Sequence, residues 1–285
     1  MLIKAIAAFA ATLVLGHAAA AGHPSFKVNV TGTGAPIILI PGMGSAGEVW
    51  DDTVARYCGN HQCHVLTLAG FAGVPAIDQP LIASAEQELN TYITEQKLVR
   101  PVVIGHSMGG FLGMKLAADH PSQVGRLIIV DTLPALLAAR VPGATAGQMK
   151  QIAEQMRTQM LSQDAETTHN NIFNSLRTMI SKPQDLEHVM VWARQSDRNT
   201  VINAMAEMAG EDLRPTLNRI AAPTLVLGSW IAYQGMGTKD SFAQLYKAQY
   251  QQLANVKVEM ADNARHFIMY DDPAWMYDRI DNFLN

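Results

Sequence analysis

The segment from Pro101 to Pro121 constrains the fold more than any other part of the chain. Pro101-Val102-Val103-Ile104 is apolar and β-branched, as expected of a parallel strand buried on both faces. From Gly110 to Asp119 the apolar residues Phe111, Met114 and Ala118 recur at helical spacing, and His120-Pro121 closes the run. Only Gly105-His106-Ser107-Met108-Gly109 joins the two, so the chain must turn sharply there, and the glycines give the backbone room to do so. The link matches Gly-x-Ser-x-Gly, which between a strand and a helix holds the serine Oγ out on a strained turn. Ser107 is therefore a candidate nucleophile, with an ordinary glycine-rich turn as the plain alternative.

Other strand-like runs surround this one. Ala35 to Ile40, His64 to Leu68, Arg126 to Val130 and Pro223 to Gly228 are apolar, Val256 to Met260 alternates, and Phe26 to Val30 leads them. The chain of 285 residues, 48% hydrophobic and 16% charged, suits one large core. A net charge of -4 and a pI near 6.1, with no basic patch, argue against nucleic acid or an anionic membrane as partner.

Two further segments carry chemistry. Ala35 to Ile40 empties into Pro41-Gly42-Met43-Gly44-Ser45, whose glycines let main-chain N–H groups point inward. Donors already aimed at a developing oxyanion stabilise it without reorganising, so the amides of Met43 and Met108 are the expected pair. The helix after Ser107 adds the positive end of its dipole. A serine hydroxyl is a weak nucleophile at neutral pH and needs a base, and a histidine titrates nearest that range. His266, in the segment after Val256 to Met260, follows both the serine and each candidate acid below.

On these motifs the chain resembles α/β-hydrolase fold serine hydrolases of the esterase, lactonase and acyl-hydrolase kind with a helical cap. The resemblance runs from about Lys27 to the C-terminus and is strongest at Ile38 to Trp50, Val102 to Gly113, Gly125 to Pro134, Ala222 to Gly228 and Ala264 to Pro273. It implies an α/β fold with a mostly parallel central sheet flanked by helices, and with a helical cap inserted after the sixth strand. The division is then 22–133 and 213–285 for the core and 134–212 for the cap. Pro41-Gly42 stands where such proteins usually carry His-Gly, which removes a side chain near the oxyanion hole and keeps the backbone donor.

The acid departs from the usual arrangement. Most such proteins place it after the seventh strand, here Pro223 to Gly228, yet Ser229-Trp230-Ile231-Ala232-Tyr233-Gln234-Gly235 holds no carboxylate, and the first is Asp240. Some place it after the sixth, here Arg126 to Val130, which is followed at once by Asp131. A carboxylate there would share the carboxyl edge of the sheet with the other groups. Asp131 is the expected acid and Asp240 the alternative, with an Asx turn as the plain role for Asp131. The activity implied is cleavage of an ester or lactone of a small to medium apolar acyl group through an acyl-enzyme, without cofactor or metal. An amidase or peptidase-type acyl hydrolase, and a ligand-binding homologue with weak turnover, are the alternatives.

The helical region supplies what substrate information there is. Gln148 to Leu161, Glu166 to Ile180, Asp185 to Gln195 and Thr200 to Ala209 read as helices, broken at Pro142-Gly143, Ser181-Lys182-Pro183 and Ser196-Asp197. Seven of the fifteen methionines fall between 134 and 212, which over Met43 and Met108 suggests an apolar, adaptable acyl pocket or, equally, ordinary packing. Ala69-Gly70-Phe71-Ala72-Gly73 is expected at the pocket entrance.

Residues 1–21 read as a secretory signal peptide. A positive start to Lys4, an apolar stretch from Ala5 to Gly16 too short to span a bilayer, and small residues to Ala21 predict cleavage after Ala20 or Ala21. The mature protein is then periplasmic or secreted, with no stable membrane anchor after cleavage. An oxidising compartment favours a disulfide between Cys58 and Cys63, while a metal site of Cys58, His61, Cys63 and His64, or two free thiols, are the alternatives.

Overall fold

Successive side chains of the central strands enter two different cores, which is why those strands are apolar throughout. Ile38, Ile40, Val103, Leu127, Ile129 and Val226 belong to one buried cluster, and Ile37, Leu39, Ile104, Ile128, Val130, Leu225 and Leu227 to the other. The computed structural model describes residues 22–285, so the expected leader lies outside the described residues. The strands are β1 (Phe26–Thr31), β2 (Ala35–Ile40), β3 (His61–Leu68), β4 (Val102–His106), β5 (Arg126–Val130), β6 (Thr224–Gly228) and β7 (Val256–Met260). They form one sheet in the order β1-β3-β2-β4-β5-β6-β7, with β1 antiparallel to β3 and every other pair parallel.

The helices are α1 (Asp51–Tyr57), α2 (Leu81–Glu95), α3 (Met108–Asp119), α4 (Leu136–Arg140), α5 (Ala146–Ser162), α6 (Ala165–Met179), α7 (Pro183–Gln195), α8 (Arg198–Gly210), α9 (Lys239–Gln249), α10 (Ile268–Asp271) and α11 (Pro273–Leu284). Helix α3 is buried almost all round because it packs on the sheet and also contacts α2 and the 3-10 turn Arg214–Arg219. Helices α4 to α8 lie between β5 and β6. The strand counted as sixth by resemblance is thus the fifth of seven described strands.

Local signals explain where the inserted helices start. Thr145 caps α5 in a reciprocal box with Gln148, Asp164 caps α6 through the Thr167 N–H, Pro183 opens α7, and Asp197 caps α8 through the Thr200 N–H. Long-range contacts hold the insertion down. Glu207 on α8 accepts the Ile82 and Ala83 N–H groups at 3.1 and 2.8 Å, supplying orphan donors of α2 with an acceptor, and Lys115 reaches Glu211 at 2.9 Å. The glycine loop from Ala69 to Gly73 packs against the insertion. The Gly70 carbonyl accepts the Asp197 N–H at 2.7 Å, and a Cβ at Gly70 would stand 2.5 Å from Thr200.

Cys58 and Cys63 are joined, with Cα atoms 5.7 Å apart. That bond uses both sulfurs of the four-ligand alternative, while His61 faces the Tyr57 carbonyl and His64 the Tyr92 hydroxyl. Among the described residues no helix is long and apolar enough to cross a membrane, and no group of three or more His, Cys, Asp or Glu residues could hold a metal ion.

Candidate functional site

The turn from β4 into α3 holds Ser107 at φ 50° and ψ -121°, a left-handed conformation that costs a non-glycine residue about 1–3 kcal/mol. Its neighbours show why the motif needs glycine. A Cβ on Gly105 would stand 2.3 Å from the Gly109 carbonyl oxygen, and one on Gly109 would stand 2.3 Å from that of Ile40. The Ser107 N–H donates to the Val130 carbonyl at 2.8 Å and its own carbonyl accepts the Phe111 N–H at 3.0 Å, which fixes the turn. Met108 is the first residue of α3, so its amide is among those without a partner inside the helix. Gly42 packs directly on this turn: a Cβ there would meet His106 Nδ1 at 2.8 Å and Ser107 Cβ at 3.2 Å.

Asp131, immediately after β5, is the second strained residue, at φ 53°, and its N–H donates to the Leu227 carbonyl at 2.7 Å. Its carboxylate is buried and meets four donors. Oδ2 accepts from His266 Nδ1 at 2.7 Å and from Ser229 Oγ at 2.8 Å, while Oδ1 accepts from the Ser229 N–H at 2.5 Å and the Tyr246 hydroxyl at 2.7 Å. A carboxylate only accepts, so Nδ1 of His266 carries a proton, and in the neutral imidazole the lone pair is on Nε2. Burial, then the nearby Asp131 charge, raises the Tyr246 hydroxyl well above its ordinary pKa and keeps it a donor. The same two causes push Tyr233 up to about 12.

His106 is buried beside this pair, its ring centroid 4.6 Å from that of His266 and 4.6 Å from that of Phe267. Its Nε2–H donates to the His266 carbonyl at 3.1 Å. Burial, then the charge of His266, pushes its pKa well below the usual histidine range, so it is a neutral wedge between two loops.

Ser107 and His266 open on a cavity of about 280 Å³. Gly42, Met43 and Gly44 line it on the sheet side, and α5 to α8 cover it with Met160, Leu176, Met179, Val189, Val201, Met205 and Met208. On α6, Thr168, Asn171 and Ser175 line the same cavity at helical spacing and add a polar strip. Four of the inserted methionines thus reach the cavity, whereas Met149 is buried in a separate cluster with α4 and α8 residues. The Met108 side chain is also elsewhere, fully buried in the core, leaving only its amide for the expected role.

The structure therefore brings Ser107, His266 and Met43 to one cavity, with Asp131 buried behind His266 and bonded to it, and with the Met108 amide next in the chain to Ser107. It does not bring Asp240, which is exposed in the first turn of α9, where a carboxylate favours the helix N-terminus. Ser229, Tyr246 and His106 were not singled out by sequence reasoning as parts of the site. Ser229 was within reach of it, as the first residue after β6, whereas nothing local marks Tyr246, on α9 and 115 positions from Asp131.

Four known matches bear on this site. The pattern of the alpha/beta hydrolase family matches residues 37–279. A pimeloyl-[acyl-carrier protein] methyl ester esterase of Vibrio atlanticus is 25% identical over 212 residues, covering 70% of this chain and 77% of that protein. One of the same name from Vibrio vulnificus is 28% identical over 202 residues, covering 69% and 75%. Among solved structures, an esterase from Exiguobacterium antarcticum superposes with a TM-score of 0.72 at 18% identity, covering 90% of this chain and 94% of that one.

Proposed function

This chain belongs to the alpha/beta hydrolase family, and from that premise we propose that it is an exported serine hydrolase cleaving carboxylic esters or lactones of small to medium apolar acyl groups. The observation that carries the reading is the 2.7 Å contact of His266 Nδ1 with Asp131 on the cavity that also holds Ser107. In this mechanism His266 Nε2 takes the proton as Ser107 Oγ attacks the carbonyl carbon, and Asp131 holds the imidazole tautomer and stabilises the imidazolium. The Met43 and Met108 amides stabilise the oxyanion. Collapse of the tetrahedral intermediate expels the alcohol, which receives the proton from His266, and leaves an acyl-Ser107 ester. Water, deprotonated by the same histidine, then hydrolyses that ester.

The apolar lining supports an apolar acyl group, and the relatives' name, methyl ester esterase, supports an ester over an amide. The composition of residues 1–21 supports export. The first test is turnover of p-nitrophenyl esters from acetate to decanoate by the mature chain and by Ser107→Ala. The reading expects ester hydrolysis that peaks at short to medium chains and is lost in a folded Ser107→Ala protein. Equal turnover in both proteins would exclude Ser107 as nucleophile, and binding without turnover in the parent would favour the ligand-binding alternative.

A further inference from the structure

The Asp131 carboxylate stands in an unusual setting. It follows β5, while the stretch after β6, where a carboxylate is usual, instead begins with Ser229. Ser229 points both of its donors at Asp131, N–H at 2.5 Å and Oγ at 2.8 Å. From the far side the Tyr246 hydroxyl reaches Oδ1 at 2.7 Å. The space for that approach comes from Gly228, since a Cβ there would stand 2.9 Å from the Tyr246 ring and 2.6 Å from Met260 Sδ. Ser229 and Tyr246 are themselves buried, so these contacts are made without competing water.

We infer that Tyr246 and Ser229 are positioning residues that act on the reaction through Asp131, holding its carboxylate toward His266 and drawing charge away from Oδ2. This rests on the serine hydrolase reading above. Two consequences follow from counting donors. Asp131 is fixed at φ 53° by bonds to β6 and α9, so its aim does not depend on its own strained backbone alone. Its negative charge is also shared among three donors besides the imidazole, so deleting one of them leaves more charge facing a protonated imidazole. A purely structural tyrosine would support packing and leave the proton balance of the pair unchanged.

Removal of one donor should therefore shift a pH profile as well as a rate. Tyr246→Phe keeps the ring in the Gly228 space and deletes only the hydroxyl, and Ser229→Ala deletes Oγ while keeping the backbone donor. In each folded variant the expected result is a fall in kcat/KM for a p-nitrophenyl ester of about tenfold, with the acid limb of its pH profile moved upward by about half a unit. In an Asp131→Asn background, Tyr246→Phe should cost less than threefold more, because the path through the carboxylate is already broken. Thermal unfolding run beside each variant separates loss of fold from loss of rate. Acid limbs that stay in place in both folded variants, or that move downward, would overturn the inference, and so would an undiminished Tyr246 effect in the Asp131→Asn background. Failure of the parent protein to hydrolyse any ester would overturn the function itself, a different result from an active parent with unmoved limbs.

Discussion

Asp131→Asn changes the charge of one buried group and leaves its shape almost intact, so its outcome can be worked from the hydrogen bonds. The position of Oδ1 faces two donors, the Ser229 N–H and the Tyr246 hydroxyl. An asparagine NH2 there would oppose both, so its carbonyl oxygen takes that side and its NH2 takes the Oδ2 side, facing His266 Nδ1 and Ser229 Oγ. The NH2 then donates to His266 Nδ1, which forces the proton onto Nε2, and the imidazole can no longer accept one from Ser107. Loss of the tautomer together with the stabilising charge is worth about 10⁴-fold in kcat, or about 5.5 kcal/mol. Folding should survive, since the turn is held by backbone bonds and the variant keeps most of its polar partners. Steady-state kinetics on a short p-nitrophenyl ester, beside a urea melt of each protein, provide the assay. A kcat within threefold of the parent in a folded variant would refute the role given to Asp131.

Gly109→Ala should destabilise by more than about 3 kcal/mol in urea, because its Cβ would stand 2.3 Å from the Ile40 carbonyl oxygen and backbone cannot yield cheaply; a loss below about 0.5 kcal/mol would contradict that packing. Burial lowers His64 to about 4, so below pH 6.5 the unfolded chain binds a proton that the folded chain refuses, and stability drains as pH falls toward 4. The parent should lose about 1–2 kcal/mol more than His64→Gln between pH 7 and pH 5, and parallel pH curves would show that the ring is not held neutral. Reduction of the Cys58–Cys63 bond should cost about 2 kcal/mol, as closure of a short loop allows, and leave ester turnover intact because the bond lies outside the cavity lining; loss of turnover in still-folded reduced protein would contradict that separation.

Much of this architecture is written locally. The strands from β2 to β7 are apolar or alternating runs bounded by glycine, proline and polar residues, and the helices expected from Gln148, Glu166, Asp185 and Thr200 correspond to α5, α6, α7 and α8, which begin one or two residues earlier, at Ala146, Ala165, Pro183 and Arg198. The placement of Ser107 and Asp131 at one sheet edge also follows from their positions just after predicted parallel strands. Contacts set by packing across the sheet were harder to read. Tyr246 meets Asp131 only because β6 and β7 lie on that side of β5 and Gly228 leaves a gap, a relation without local periodicity. His106 reads as a flanking residue in sequence, and its wedge role depends on the loop bearing His266 folding back over β4. At Gly70, glycine signals close backbone approach without saying what approaches; here it is Thr200 of the insertion.

Whether Ser107 is an activated nucleophile is read from reaction of the mature protein with a fluorophosphonate, followed by intact mass and peptide mapping. An activated Ser107 should give one adduct per chain, on Ser107, formed far more slowly in Asp131→Asn and absent in Ser107→Ala. Folded parent protein that takes up no adduct, or that is labelled equally in Ser107→Ala, would contradict it.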